Sequence, residues 1–331
     1  MATNVPFDLD AASDLTDLSI QKIWIKSKAD LKEYHKEYYY VEPVTDYIVK
    51  DSSITALDSF SKIPENAVIP ASSPYQGFSK TYTQSFFSGM LRITRPMWRY
   101  GLKARKLEGI VTELRNDAIR FKETVLANVL NNMASTSYQE TTGRYAYTVT
   151  NSGGDGAAPK STAHTREDGG TNWNNQITNG TTVNMDFDYD GLKAAYKTAQ
   201  AIKGGIGETL DINLSHLLCK KESSVHHRAQ EILNGLKRGE QPGTANRESV
   251  IENRYIITAN PYFSNDAYWG MIDTSMNSDK FGLQVKEGMA LVLDPQFIDY
   301  DTKEIKYSAG MDFAYGFNDV RNLVLSDGTN G

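Results

Sequence analysis

The longest regular pattern of apolar positions runs through residues 103–133. Apolar residues recur there at alternating spacings of four and three, which places them on one face of an α-helix. They are Leu107, Val111, Leu114, Ala118, Phe121, Val125 and Val129. Since the interior has no Pro and only one Gly, the pattern predicts a single helix of about 30 residues, roughly 45 Å long.

Residues 51–100 lead into this helix and are predicted to form an extended loop. Two β-prone runs, 78–87 and 90–94, flank Gly89 and predict a β-hairpin around that glycine. A hairpin that feeds directly into a long helix encloses no pocket. It suits a subunit that reaches over its neighbours.

Residues 1–50 are predicted to be an N-terminal arm and its lead-in. The first 20 residues carry four Asp with no clear period, whereas 21–49 are rich in aromatic residues. These aromatics favour a helix end or strand that lies over the core. A sugar-binding or base-stacking platform is the alternative, although stacking sites also need local positive charge.

Beyond the long helix the pattern predicts a strand at 145–150 and then a polar tract at 151–182. Gly, Asn, Thr and Ser dominate this tract and hydrophobic periodicity is absent, so it is expected to be a long surface loop. Helices are predicted near 189–202 and 223–236, with a short strand around 210–214 between them.

The last eighty or so residues are the most strand-like part of the chain. Short β runs occur at 255–258, 268–272 and 289–293, and apolar residues alternate through 305–315. The whole order predicts an α+β fold with extended appendages.

Charge changes this picture in one respect. The net charge of -6 disfavours a general nucleic-acid binder, but it is unevenly distributed. Residues 76–122 contain ten Lys or Arg against three Asp or Glu, which leaves +7 there and -13 elsewhere. Opposite charges on different parts of one chain favour association between identical copies. No apolar run is long enough for a membrane helix, so no membrane contact is expected.

Candidate chemistry is sparse, and neither a catalytic site nor a metal or cofactor site is predicted. Asp186, Asp188 and Asp190 imitate the start of an EF-hand loop, but Lys197 stands where a bidentate Glu is required. His226 and His227 are adjacent on a predicted helix and would point about 100° apart, which disfavours a shared metal.

Two further reactive groups have simple structural interpretations. Cys219 is the single cysteine, which excludes an internal disulfide and is typical of a reducing compartment, and a buried, inert thiol is expected. Asp299, Asp301 and Glu304 are expected to form a solvated acidic turn rather than a general acid/base pair. The chain is therefore predicted not to be an enzyme.

Several stretches resemble one known family. GMLRITRPMWRY at 89–100, followed by the long helix and its end at 127–133, is similar to the hairpin-to-spine-helix passage of tailed-bacteriophage major capsid proteins. The stretches 210–233, 260–273 and 307–321 are similar to the C-terminal half of the same family. The resemblance covers roughly residues 60–328 and includes no catalytic signature.

This resemblance implies a Hong Kong 97-like fold in five segments. They are an N-terminal arm and lead-in (1–50), an extended loop (51–100), a peripheral domain with the spine helix (101–190), a mainly axial domain (191–300) and a C-terminal strand returning to the peripheral domain (301–331). The implied function is that of a major capsid protein whose hexamers and pentamers form an icosahedral shell around double-stranded DNA.

The implied partners are further copies of the chain together with scaffold, portal and decoration proteins. The implied location is the virion, assembled in the host cytoplasm, with DNA as non-specific content. Two alternatives stay open: an encapsulin-like nanocompartment shell, and a carbohydrate-binding or tail structural module. Contacts between subunits are expected at Phe86, Phe87, Arg92, Arg95 and Arg99.

Overall fold

The computed structural model describes residues 21–22, 24–25, 31–54, 57, 60–69, 71, 76–94, 104–233, 255–278, 280–295, 297–299, 301–302 and 304–328, with only the backbone at 104–108. The α-helices with described bounds are α1 (Ala104–Asn131), α2 (Tyr189–Ala201) and α3 (Ser224–Leu233). The strands are β1 (Tyr39–Pro43), β2 (Ile48–Ile54), β3 (Gln76–Thr83), β4 (Ser85–Thr94), β5 (Ser137–Glu140), β6 (Tyr147–Thr150), β7 (His216–Lys220), β8 (Ile256–Asn260), β9 (Trp269–Ile272), β10 (Leu283–Leu293), β11 (Phe297–Asp299), β12 (Glu304–Phe317) and β13 (Leu323–Ser326).

The larger sheet has five strands and is built around β12. On one side β12 pairs antiparallel with β10 and β11, and on the other side it pairs antiparallel with β4. Strand β1 adds to β10 in parallel. Helix α1 contacts both β4 and β12, so it lies against this sheet.

The smaller sheet has four strands in the order β13-β9-β7-β8. Strands β7 and β8 are parallel and the other two pairings are antiparallel. Helix α2 contacts β13, and α3 contacts β7 and β8. Strand β13 thus takes the C-terminal segment into the smaller sheet, whereas β12 belongs to the larger one.

The α+β prediction is confirmed, and so are the long, strongly periodic elements. Helix α1 has 28 residues, and its predicted stripe includes the buried Val111, Val125 and Val129. The alternation at 305–315 forms the 14-residue strand β12. Helix α2 begins where predicted because the Asp188 carboxylate accepts a hydrogen bond from the Gly191 N–H at 2.6 Å, a normal N-cap.

The hairpin predicted around Gly89 is wrong. Gly89 lies inside β4, which continues from Ser85 to Thr94 and pairs with β12 over ten residue pairs. A long ladder buries more apolar surface than a two-strand hairpin with a single turn residue could. Strand β3 instead pairs with β2, and residues 55–75 connect those two strands.

Two other expectations are also corrected. The strand predicted at 210–214 lies later, at β7. The tract 151–182 does lack helices and long strands, but part of it is buried instead of lying on the surface, including Asn151, His164, Trp173, Asn175 and Ile177. The Asn175 amide, for example, donates to the carbonyls of Pro159 and Leu323, so side-chain hydrogen bonds hold this tract against the C-terminal segment.

The aromatic lead-in packs on the core, which confirms its structural interpretation. Trp24, Tyr38 and Tyr39 are buried, and the Tyr39 hydroxyl donates to the Leu126 carbonyl of α1 at 2.8 Å. Beside them the His35 ring and the Glu123 carboxylate form a buried pair at 2.5 Å. The predicted arm at 1–20 lies outside the described residues. None of the helices in the described part is long and apolar enough to cross a membrane.

Candidate inter-subunit surface

A groove of about 830 Å³ runs along β4, beneath α1 and beside the loop that joins β5 to β6. Its walls are mainly apolar and include Phe87, Leu114, Ala118, Phe121, Tyr147 and Met311. Its polar border includes Arg92, Asp117 and Arg144. The groove is large enough for several side chains from another molecule.

The groove separates two hydrophobic clusters that share α1. One cluster contains Val111 with Ile93 and Tyr307, and the other contains Val125 and Leu126. Between them the facing positions carry small residues: Ala118 on α1, Gly89 on β4 and Ala309 on β12. A Cβ built on Gly89 would be 3.5 Å from the nearest Leu114 atom, an ordinary van der Waals contact, so Leu114 lies directly over Gly89.

The predicted contact residues divide between the two faces of β4. Phe86 is 63% exposed, and Arg92 is exposed on the same face, as the alternation of a strand requires. Phe87 points the other way, and its ring packs in tilted orientations against Phe121 and Phe313, with ring centroids 5.3 and 4.6 Å apart. Phe87 is therefore part of the packing of its own chain.

The remaining predicted site residues are placed as follows. Leu114, Ala118 and Phe121 are half-buried and line the groove instead of lying fully in the core. Arg95, Arg99 and the side chain of Leu107 lie outside the described residues.

The connection between β2 and β3 is the second exposed apolar feature. Sequence reasoning placed a loop here but did not single out its side chains. Among its described residues, five large apolar side chains are exposed: Leu57, Phe60, Ile63, Val68 and Ile69. We call residues 57–69 the apolar segment. Its spacing shows neither a helical nor a strand period, so pattern analysis offered no signal for it.

A buried lysine holds the base of this connection. The Lys286 side chain on β10 is fully buried and pairs with Asp51 of β2 at 2.7 Å and with Glu42 of β1. Burial by itself lowers the pKa of Lys286, but the hydrogen bonds to both carboxylates outweigh this effect and raise the pKa above its usual value. The lysine therefore stays charged and fixes β2 against the larger sheet.

A second buried charge cluster ties the irregular tract to the C-terminal segment. The Arg321 guanidinium pairs with Glu167 at 2.7 Å and with Asp319, and all three side chains are buried. Burial raises the pKa of Asp319 to about 6, and the nearby Glu167 carboxylate adds to this, although Arg321 opposes it. Two carboxylates thus share one guanidinium, and its single positive charge can balance the negative charge of only one of them.

This cluster makes a pH-dependent contribution to stability. A carboxyl whose pKa is raised from 3.8 to about 6 by folding stabilises the folded state less as the pH rises through that window. We expect the free energy of unfolding of the wild type, minus that of Asp319→Asn, to fall by about 2 kcal/mol between pH 4 and pH 7. Urea denaturation across this range measures it, and a flat difference curve would contradict the assignment.

The candidate reactive groups have structural roles. Burial raises the pKa of the Cys219 thiol to about 12, so it stays protonated. Asp188 caps α2, and Asp299 pairs with Lys306 at 2.6 Å.

The histidine pair differs from expectation. The possible ligand atoms of Glu222, His226 and His227 lie within 4.8 Å of one another. However, the two ring nitrogens of His226 face the Glu222 N–H and the Gln230 amide, at 3.3 and 3.2 Å. Hydrogen bonds therefore occupy the only buried member of this group, and the positive end of the α3 dipole lies beside it.

Comparison with known proteins gives information on the fold alone. No family model matches the chain, and no curated relative does. Among solved structures, the capsid of the native GTA particle has a TM-score of 0.53 at 9% identity, covering 90% of this chain and 91% of that chain. A structure from Mycobacterium phage Patience has a TM-score of 0.51 at 13% identity, covering 98% and 89%. The chain shares its α+β fold with these structures.

Proposed function

We propose that this chain is the major capsid protein of a tailed bacteriophage or a phage-like particle, and that copies of it form the closed shell. The observation that carries this proposal is the shared fold with the capsid of the GTA particle, which extends over about nine-tenths of both chains. Features of this chain supply independent support.

The first support is apolar surface that one copy leaves exposed. The apolar segment, the exposed Phe86 and Met90 on β4, and the groove beside them lie on the outside of the subunit. Large exposed apolar surfaces on soluble proteins mark sites of association. A subunit that meets several neighbours buries such surfaces on assembly.

The second support is the separation of rigid and projecting parts. In this proposal α1 and the five-stranded sheet form the peripheral domain, and the four-stranded sheet with α2 and α3 forms the axial domain. The β2–β3 ribbon, fixed at its base by Lys286, is the extended loop. The residues before 21 are proposed to be the N-terminal arm.

The proposed assembly consists of hexamers and pentamers in an icosahedral shell that encloses double-stranded DNA. The chain would assemble in the host cytoplasm with scaffold, portal and decoration proteins and would end in the virion. It needs no cofactor in this proposal.

Assembly of the purified protein tests this function. We expect negative-stain microscopy to show closed shells, or rings of five and six subunits, and sedimentation to show species far larger than 36.9 kDa. A compact monomer at low and high salt, with and without a co-expressed scaffold, would reject the proposal.

The basic residues of β4 and its continuation are proposed to contact carboxylates of a neighbour. Arg92 is exposed, and like charges at 92, 95 and 99 repel each other unless another chain neutralises them. We expect Arg92→Glu to lower the yield of assembled particles severalfold without changing the thermal midpoint of the unassembled subunit. The control is Lys193→Glu on the exposed face of α2. Normal assembly of Arg92→Glu at all salt concentrations would rule out this role.

A further inference from the structure

The His164 ring lies in the irregular tract 151–182, where the tract meets the C-terminal segment. The residue is 1% exposed, and both of its ring nitrogens face oxygen atoms. Nδ1 lies 2.7 Å from the Asp155 carboxylate, and Nε2 lies 3.3 Å from the side-chain Oδ1 of Asn175. Two oxygen acceptors require a hydrogen on each nitrogen, whereas a neutral imidazole carries only one. The doubly protonated ring satisfies both contacts.

The orientation of the Asn175 amide is fixed by its other hydrogen bonds. Its Nδ2 donates to the carbonyls of Pro159 and Leu323 at 2.7 and 3.3 Å. Its Oδ1 also accepts from the Ser161 N–H at 3.0 Å. Turning the amide over would aim its NH₂ group at the Ser161 N–H and its oxygen at the two carbonyls. Oδ1 is therefore the atom that faces His164.

The surroundings favour a positive charge on this ring. The Trp173 indole stacks on it, with ring centroids 4.1 Å apart and ring planes 13° apart, and an aromatic face attracts a cation. The carboxylates of Asp155, Glu167 and Asp319 are all buried in this part of the chain. Because the Arg321 guanidinium balances only one of them, a second cation brings the cluster closer to neutrality.

The ring holds in place a cover over a strand edge. Strand β13 lies at the end of the smaller sheet and pairs with β9 on one side. On its other side the Ile177 N–H donates to the Leu325 carbonyl at 2.9 Å, and the Leu325 N–H donates to the Asn175 carbonyl at 3.0 Å. The tract thus occupies an edge that is otherwise open to another strand. Asn175, which makes this contact, is also the partner of His164 Nε2.

We propose that His164 is held as an imidazolium that donates to Asp155 and Asn175 at the same time, and that this buried cation fastens the irregular tract over the edge of β13. An imidazole binds a proton more tightly than a carboxylate does, so the proton shared with Asp155 stays on the ring. Loss of the other proton at alkaline pH leaves His164 Nε2 and Asn175 Oδ1 facing each other as two acceptors. The tract then loosens and the β13 edge opens. The device acts within one subunit and is independent of shell formation.

Nuclear magnetic resonance of the unassembled subunit with isotope-labelled histidine tests the charge directly. The short distance between the His164 and Trp173 rings identifies the His164 signals in the wild type, so no substitution is needed. We expect both ring nitrogens of His164 to carry a hydrogen at about pH 7.5, where a histidine in water has largely lost one of them. An Nε2 without a hydrogen at this pH would overturn the inference.

Hydrogen exchange measured by mass spectrometry tests the fastening. Peptides that contain Ile177 should exchange about tenfold faster or more at pH 9 than at pH 7, relative to peptides that contain Leu126 of α1. The buried Leu126 peptides correct for the faster chemistry of exchange at high pH. The same relative rate at both pH values would show that the tract is not released.

A substitution assigns the effect to one residue. His164→Gln removes the charge, so its tract should exchange fast at both pH values and the pH dependence should disappear. The matched control, His227→Gln on α3, removes an exposed histidine and should behave like the wild type. If His164→Gln does not fold, the wild-type spectrum still decides the charge of the ring.

Other charged groups near the tract are separated by the same variant. Lys80 of β3 donates to a carbonyl of the tract at 2.5 Å, and burial lowers its pKa. Asp319, with a pKa of about 6, is already ionised between pH 7 and pH 9. Arg166 and Arg321 stay charged throughout. A pH dependence that survives in His164→Gln would assign the release to Lys80 and reject the role of His164.

Discussion

Replacing Lys286 with Met is expected to lower the free energy of unfolding by about 3 to 5 kcal/mol. The ammonium is fully buried between Asp51 and Glu42, and its removal takes the Lys286 charge away from the mostly buried Asp51 carboxylate. Chemical denaturation of the unassembled subunit measures the loss. The effect should be among the largest of any single substitution, because few mechanisms exceed an uncompensated buried charge.

Two comparisons make this prediction specific. Lys193→Met, which removes an exposed lysine paired with Asp190, should change stability by less than about 1 kcal/mol. Adding Asp51→Asn to Lys286→Met should recover part of the loss, since the second change removes the buried negative charge that Lys286 neutralises. A loss below 1 kcal/mol for Lys286→Met would show that water reaches this site.

The Lys286 variant also bears on assembly. Asp51 belongs to β2, so the pair holds the β2–β3 ribbon at a defined angle to the larger sheet. In the proposed shell this ribbon is the extended loop, so its angle decides whether it can meet a neighbouring copy. We expect the variant to assemble poorly even at temperatures where its subunit is folded.

The second large effect is expected on α1. Leu126 is fully buried, so Leu126→Ala should lower the free energy of unfolding by about 2 to 5 kcal/mol. Phe121→Ala should have a smaller effect in the free subunit, about 2 kcal/mol, because one side of the Phe121 ring faces the groove. The thermal midpoint of unassembled subunits measures both.

The informative result is which of the two substitutions, Leu126→Ala or Phe121→Ala, destabilises the subunit more. The helical period alone places Phe121 in the middle of the apolar stripe and would give it the full cost of a buried Phe, about 3 to 5 kcal/mol. A midpoint for Phe121→Ala as low as that for Leu126→Ala would mean that the groove is closed in solution. The half-buried position of Phe121 would then be incorrect.

The sequence by itself determined the elements whose stability is local. The α1 helix follows from a 3.6-residue period over many turns, and β12 follows from strict alternation of apolar positions over 305–315. Helix α2 follows in the same way from the apolar pattern that resumes at 189–202. In each case neighbouring residues carry the whole signal, so no knowledge of distant contacts is needed.

Only the tertiary structure decided which strands pair and how the polar tract 151–182 packs against the rest of the chain. The partner of β4 is β12, about 220 residues away, and no local feature near Gly89 distinguishes that pairing from a hairpin. Asn175 is a similar case: its side-chain amide is buried and donates a hydrogen bond to the Leu323 carbonyl, 148 residues away. Polar side chains that satisfy distant backbone groups leave no hydrophobic period, so the tract resembles a surface loop in sequence.

The candidate interface likewise has features that the sequence predicts and features that only the tertiary structure shows. The helical period predicted that Val111, Val125 and Val129 share one buried face of α1, because a period of 3.6 assigns residues to faces. The groove could not, because it exists where Gly89, Ala118 and Ala309 from three separate elements meet. A gap in packing is a property of the space between elements, and each small residue is unremarkable within its own segment.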